Sequence, residues 1–341
     1  MSSRVVVYGL DNRSQGELRA ICNRGWRLIG DPGVESGGET SIFLDDESAS
    51  QSWLQLGRVV TIDHPKLPPW AGVIDTPWEA QLPVKVTLYN IEYLFSLRTP
   101  DVVATLNGMT GDIVAEMITQ MNSQEETFLR IGLVDDDVLR QETLDNRPFW
   151  EQIVALVERA GMRMQIRPVR EESRLYLYVD VLERIGRDTG YLFHDGDNAN
   201  MTILGASIEG EIWNRVIGFG DESTKKGRKQ TPPQFEPDSI RDFRMRSRNV
   251  QFQGIREEST LDAYTRAFVH AASRPVLKLK VTINDVDDAF GNVAIGNTAI
   301  FHAHTLYLPA GRIGWKGEME MKAVAYDEKT NTVGMIVEAE L

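Results

Sequence analysis

The 341-residue sequence predicts an α+β protein that is mainly β, and three observations predict it. Short apolar strands punctuated by Gly, Pro and Asp fill the first hundred residues. Amphipathic helices and a hairpin follow between Pro100 and about residue 203. From about Gly205 the chain returns to short strands, interrupted by one long basic stretch. At roughly 150 residues per domain, this length holds two or three domains.

In the first portion, "SRVVVYGL", "TSIFLDDE", "LGRVVTID", "WAGVID" and "VKVTLYNIEYLF" read as strands. The segment "QGELRAICNR" is the single candidate there for a helix longer than two turns. After Pro100, "TGDIVAEMITQMN" places Ile113, Val114, Met117, Ile118 and Met121 on one helical stripe, with Asp112 in the first turn. "DNRPFWEQIVALVERAG" is the clearest helix: Asp145 or Asn146 caps it, and Gly161 ends it in the left-handed conformation. Its buried face is Phe149, Ile153, Leu156, Val157 and Ala160. The hairpin "GMRMQIRPV"/"RLYLYVDV" follows, in which Leu175, Leu177, Val179 and Val181 alternate with Arg174, Tyr176, Tyr178 and Asp180.

"ASIEGEIWNRVIGFG" reads as two strands. Residues 221–248 read as a loop whose eight Lys/Arg outnumber five Asp/Glu, giving a local net charge of +3 in a chain whose total is −13. A helix over "STLDAYTRAFVHAASRP" has Ser259 and Asp262 as a capping box and Leu261, Tyr264 and Phe268 as its apolar stripe. Four strands finish the chain. The entries "LGRVVTI" and "IGNTAIFHA" share a G-x-V/T rhythm, a weak sign of internal duplication.

Composition narrows the function classes. The apolar fraction of 42% and charged fraction of 26% are those of a globular protein. No apolar run approaches the ~18 residues of a membrane span, and the N-terminus has no leader features. The lone Cys22 excludes an internal disulfide and a cysteine zinc site and reads as a buried filler. A net charge of −13 argues against a nucleic-acid-binding face, while an acidic wall suits a polyanion passing without sticking.

Catalytic motifs are missing. "GFGDES" lacks the third glycine and the helix of a dinucleotide fingerprint, and neither G-x-S-x-G nor H-E-x-x-H occurs. His302 and His304 share one strand face, half of a metal site at most. "VDDDVL" reads as a loop or helix start. "NDVDDAFGN" has Phe290 where a calcium loop needs glycine. For Trp70 and Trp78, a structural filling role is set against a stacking platform for sugar or bases. The basic stretch is either a solvated insertion or a docking loop for an acidic neighbour, through Lys225, Lys226, Arg228, Lys229, Arg241, Arg244, Arg246 and Arg248.

The order of these features resembles the baseplate- or tail-hub proteins of tailed bacteriophages. Gly57, Trp70, Gly72, Ile74, Tyr93, Leu94 and Arg98 match the opening domain, in which a glycine-entered strand precedes a W-x-G-x-I strand and an arginine-ended corner. The two helices and hairpin are similar to that family's inserted α+β domain. Asn214 and Gly220, in "NRVIGFG", resemble the N-x-V-x-x-x-G strand that opens its second barrel. The resemblance implies two tail-tube-like β-barrels, over 1–100 and over 204–220 with 273–341. It implies an inserted α+β domain over 101–203 and a loop and helix insertion over 221–272. Trp70 and Trp78 then fill and close the first barrel, and the corner from Tyr89 to Leu97 plugs one end. It further implies a homotrimer whose six barrels match the tail tube, with a tail-tube or distal tail protein above and a spike, fibre or tape-measure protein below. DNA would pass through, the location would be the virion tail tip, and no cofactor or catalysis is implied. The competing expectations are a tail-associated cell-wall hydrolase and a carbohydrate-binding β module.

Overall fold

A computed structural model describes residues 3–27, 40–79, 81–137, 139–223, 227–252, 255, 257–286, 288–308 and 312–341, with the side chains of 76–79, 221–223 and 227–228 left aside. The first unit comprises β1 (Arg4–Tyr8), β2 (Ser14–Leu18), β3 (Ala20–Arg27), β4 (Thr40–Leu44), the single turn α1 (Asp46–Ala49), β5 (Val59–His64), β6 (Leu67–Glu79) and β7 (Val84–Asn90). The apolar run of β1 is buried on both faces, as continuous runs are when each side has a neighbour. Val5 and Val7 join Cys22, Ile42, Ile62, Trp70 and Ile74 in one core. Val6 and Tyr8 join Val59, Ala71 and Val73 in a second core, shared with the α+β unit.

The helix expected over "QGELRAICNR" is instead β2 and β3. Leu18 and Cys22 are buried, and Ile21 is 48% exposed. β2 pairs with β1 and β3 with β4, and Gly16 lies where a Cβ would come within 2.6 Å of the Trp53 ring.

The middle unit holds α2 (Tyr93–Ser96), β8 (Ala104–Gly108), α3 (Thr110–Gln124), β9 (Leu129–Val134), β10 (Arg140–Leu144), α4 (Phe149–Ala160), β11 (Arg163–Glu171) and β12 (Arg174–Leu182). All five stripe residues of α3 are buried, as are Phe149, Ile153, Leu156 and Val157 of α4. Gly161 ends α4 at φ 70°. Neither Asp145 nor Asn146 caps α4; Pro148 occupies that position, and Gln152 reaches back to accept the Asp145 N–H at 3.0 Å and donate to the Arg147 carbonyl at 2.7 Å. Strands β9, β12 and β11 form a three-stranded sheet behind these helices.

The last portion comprises β13 (Asp188–His194), β14 (Met201–Glu209), β15 (Arg215–Ser223), β16 (Gly227–Gln230), β17 (Gln234–Phe235), α5 (Pro237–Phe243), β18 (Ser247–Gln251), α6 (Glu258–Ala271), β19 (Val276–Asn284), β20 (Thr298–Leu308), β21 (Arg312–Asp327) and β22 (Thr332–Glu340). Thus the boundary drawn at residue 203 falls inside β14, and β13 already pairs with β20.

Among the described residues, the stretch read as a loop is folded from Gly227 on. β16, β17 and β18 pair with β15, and this small sheet packs on α6 through Phe252, Ile255, Leu261 and Tyr264. β16, β17 and β18 are largely polar and two to five residues long, too short for alternation to register. The predicted capping box of α6 does not form. The helix begins two residues earlier than that box requires, at Glu258, and Asp262 accepts from Gln234 Nε2 at 2.6 Å instead.

Both β units lie in one 13-stranded sheet, joined where Ala323–Asp327 of β21 pairs with Asn23–Arg27 of β3. Among the described residues neither unit's strands close on themselves. Within the sheet the order β3-β4-β7-β6-β5-β1 is repeated as β14-β19-β22-β21-β20-β13. Every pairing is antiparallel in both copies except the last, which is antiparallel for β5 with β1 and parallel for β20 with β13. The glycine-entered strands noted in the sequence are β5 and β20, equivalent in this order. Gly57 (φ 79°) and Gly296 (φ 76°) both take the left-handed conformation that glycine adopts without steric cost. Gly57 donates to Ile74 O at 2.8 Å and Ile74 to Arg58 O at 2.9 Å. Gly296 donates to Met321 O at 2.7 Å and Met321 to Asn297 O at 2.9 Å. The two units share this strand order and these two pairs of hydrogen bonds.

Candidate functional site

The aromatic corner is a packing device. Trp70 is 3% exposed, and its indole Nε1 donates to Gly25 O at 2.9 Å and to Asn90 Oδ1 at 3.1 Å. Gly72 allows this: a Cβ there would lie 2.0 Å from the Trp70 ring and 2.4 Å from Tyr89 O. Ile74 is fully buried beside them. Tyr93 stacks on Tyr89 with ring centroids 4.7 Å apart, and its hydroxyl bonds the Asp75 carboxylate, which raises the phenol pKa. Leu94 packs on the core shared with the α+β unit, where Phe95 is fully buried. Arg98 bonds Glu125 at 2.5 Å, tying the corner to the end of α3. Trp70 presents no face for a ligand. The side chain of Trp78 lies outside those described; its backbone pairs with Val86.

In the second half, Asn214 is buried and works as a bracket. Its Nδ2 donates to Ser239 Oγ at 3.1 Å and to Arg244 O at 2.8 Å, while its Oδ1 accepts the Arg246 N–H at 2.7 Å. Gly220 lets β15 approach the chain at Ile255, whose carbonyl would sit 2.6 Å from an added Cβ. The bracket holds the turn that displays Arg244 and Arg246, both exposed with Met245 between them at 57%. Arg241 pairs with Asp238 and Asp242. Arg248 bonds Glu211 at 3.5 Å and lies 5.4 Å above the Trp213 ring. Lys229 is half-buried on β16. Lys225 and Lys226, and the side chain of Arg228, lie outside the described residues. Arg241, Arg244, Arg246 and Arg248 are all exposed, as are Phe235 and Met245.

The acidic run 134–139 is partly a helix-start device. Asp137 accepts from Thr110 N at 2.9 Å and Thr110 Oγ1 at 2.6 Å, at the positive end of α3. It also pairs with Arg140 at 2.9 Å, both side chains nearly inaccessible. Arg140 lies 4.6 Å from the Tyr264 ring, and the Tyr264 hydroxyl donates to Glu142 at 2.9 Å. Arg159 completes the cluster at 2.7 Å from Glu142. Burial, and then the charge of Glu142, raise the Tyr264 pKa. Sequence reasoning missed this joint because its members come from α3, β10, α4 and α6. Both carboxylates are already engaged by arginine, so neither is free to act as a base.

Elsewhere the candidate chemistry is spoken for. The rings of His302 and His304 lie 3.6 Å apart, and burial, then His304 and Lys316, depress the His302 pKa. Asp195 near them accepts the backbone N–H of His304 at 2.6 Å and the Thr305 hydroxyl at 2.7 Å. Lys66 bridges Asp285 and Asp288, at 3.0 and 3.2 Å. Among the described residues no group of three His, Cys, Asp or Glu could hold a metal ion. A groove of about 930 Å³ between the starts of β3 and β7 is lined by Ile21, Phe43 and Leu82 with Asp45 and Asp46; the Asp45 carboxylate caps α1 through Ser48 N at 2.8 Å.

No protein-family model and no curated protein sequence matches the chain. Solved structures do. A prophage tail protein of Listeria monocytogenes superposes with a TM-score of 0.63 at 11% identity, covering 98% of this chain and 94% of that one. The chain has the fold of a phage tail protein. The 43 kDa tail protein of a Shewanella oneidensis prophage gives a TM-score of 0.59 at 9% identity, with 98% of both chains covered. An E. coli protein described as a component of the type VI secretion system gives 0.50 at 11%, over 99% of this chain and 76% of its own. Identity this low carries the architecture and leaves the side chains to speak for themselves. Gly57, Trp70, Gly72, Ile74 and Asn214 are packing and backbone residues in this fold.

Proposed function

We propose that the protein is a structural component of a phage tail tip, in which three copies form a ring around the DNA path. The observation that carries this reading is the duplicated strand order: one chain offers two equivalent β units side by side, so three chains offer six. Such a ring joins a sixfold tail tube to a threefold tip. A tube-type or distal tail protein would abut one side and a spike, fibre or tape-measure protein the other. The barrels expected from the sequence are then completed in the assembly. The net charge of −13 suits a conduit, because a wall that released counterions to bind phosphate would hold the polyanion it must pass. The exposed face carrying Arg241, Arg244, Arg246 and Arg248 is the docking surface for an acidic neighbouring subunit. The test is the native mass of the purified chain, together with class averages of particles in negative stain. A threefold ring with a central opening is the expected result. A single-chain mass at every concentration up to that of a concentrated stock refutes the reading.

A further inference from the structure

We infer that acid opens a joint between the two β units, through protonation of His64. The joint is the turn between β5 and β6, which belongs to the first unit in sequence and seats in the second. Leu67 is buried in the second unit's core with Phe290, Val293 and Tyr326. His64 is 8% exposed, and its ring centroid lies 5.2 Å from that of Tyr326 and 6.4 Å from that of Phe290. Lys66 bridges Asp285 and Asp288 in the connection ahead of β20. The β3–β21 ladder joins the same two units separately, so the turn can open while the units stay attached.

Histidine is the side chain whose ordinary pKa lets it change charge between about pH 5 and 8. His64 is held in its neutral form. Its Nδ1 accepts the Lys66 N–H at 3.2 Å, a bond that a protonated ring, a donor at both nitrogens, cannot accept. The surroundings already hold a buried positive charge. Arg24 is 1% exposed; its Nη1 donates to Ser3 Oγ at 2.8 Å, while its Nε and Nη2 have no acceptor. Its guanidinium lies 5.0 Å from the same Tyr326 ring that packs on His64. A second positive charge there meets desolvation and repulsion together. Burial, then Arg24, depress the His64 pKa; Glu328, the terminal amine and Asp285 act more weakly.

The carboxylates around the ring have other partners. Glu328 accepts the Ser3 and Cys22 N–H groups at 2.6 and 2.8 Å. Asp285 and Asp288 hold Lys66, and Asp63, next to His64 in β5, holds Arg170 at 2.6 Å. Burial pushes the Cys22 thiol up to about 12 and raises the Tyr326 phenol, so both stay neutral. The turn has space to move into, because it borders an open groove of about 650 Å³ lined by Trp26, Pro65, Pro69, Ile166, Pro168 and Ile295.

The direction follows from linkage. In the open turn His64 returns to its ordinary pKa of about 6.5, so the open form binds more protons than the closed one. The closed joint is fully stabilised above about pH 6.5 and loses that stabilisation as pH falls toward the folded value. Across that window the open population rises about tenfold per pH unit. The switch belongs to the single chain and does not require the ring.

Amide hydrogen exchange of the full chain, corrected for its intrinsic pH dependence, tests this. Opening at Lys66, Leu67 and 289–293 is expected to rise about tenfold per pH unit below about pH 6.5, levelling off at the His64 pKa, with α3 and α4 unchanged. In His64→Asn, whose amide oxygen stands in for Nδ1 and stays neutral, the same amides are expected to lose this pH response. An equal response in His64→Asn assigns it to the carboxylates and overturns the inference, and so does a flat profile in the parent. Should the variant not fold, the parent's imidazole NMR decides. The ring in contact with Phe290 and Tyr326 is expected to titrate below about 6.5, and a value at or above that overturns the inference.

Discussion

Trp70 is the residue on which the first unit depends. Its ring fills the space that Gly72 leaves, and its N–H has two acceptors, so truncation removes both volume and hydrogen bonds. Trp70→Ala is expected to cost about 3–5 kcal/mol in denaturant unfolding. Gly72→Ala should cost a comparable amount, because one of its clashes is with backbone, which cannot rotate away. Asp180 is the contrasting polar case. Alternation placed it on the outer face of its hairpin, yet it is fully buried, under Gln165 and Arg167, beside Gly132, where a Cβ would lie 2.2 Å from its carboxylate. Burial pushes its pKa up, but hydrogen bonds from Arg167, Leu133 N–H and Gln165 outweigh that and hold it below the usual value. A depressed folded pKa means stabilisation that is present above about pH 3.9 and lost as pH falls through the folded value. Asp180→Asn should lower stability by about 1.5–3 kcal/mol at neutral pH and flatten the acid limb of the stability curve. An unchanged acid limb in that variant would show that another group governs it.

At the scale of elements, the middle helices were legible and the basic insertion was not. α3 and α4 each carry a full apolar stripe over 15 and 12 residues, enough turns for a 3.6 period to stand out. The insertion is held by Asn214, whose partners lie 25 to 32 residues away. No local pattern reports such contacts. Asn214→Ala leaves the Arg246 N–H without its acceptor and frees the Arg244 carbonyl. We expect faster amide hydrogen exchange across 236–251, with protection of α3 and α4 unchanged. Uniform exchange throughout the chain would show that Asn214 supports the whole fold instead. The cluster of Asp137, Arg140, Glu142, Arg159 and Tyr264 anchors α6 to the α+β unit.

For the whole molecule, the arrangement of charge matters more than its sum. The exposed Arg244 and Arg246 project from a folded turn in an otherwise acidic chain, a geometry suited to a complementary neighbour. Removing 225–246 would also take out β16, β17 and α5, so charge reversal is the cleaner probe. Arg244→Glu combined with Arg246→Glu should leave unfolding within about 0.5 kcal/mol of the parent, as surface changes usually do. Its incorporation into assembled particles should fall sharply. Normal incorporation would remove the docking role from this face.

The amino-acid sequence by itself determined what short-range physics records: the alternating strands, the amphipathic stripes of α3 and α4, the helix stop at Gly161 and the strand entries at Gly57 and Gly296. Those features depend on residues within a turn or two of one another. The tertiary structure decided that Ala20–Arg27 is a strand and that 227–248 is folded. It also decided that Asp180 is buried and that two distant halves of the chain share one sheet. Each of these is set by partners far away in the chain, where long-range pairing and desolvation outweigh local preference.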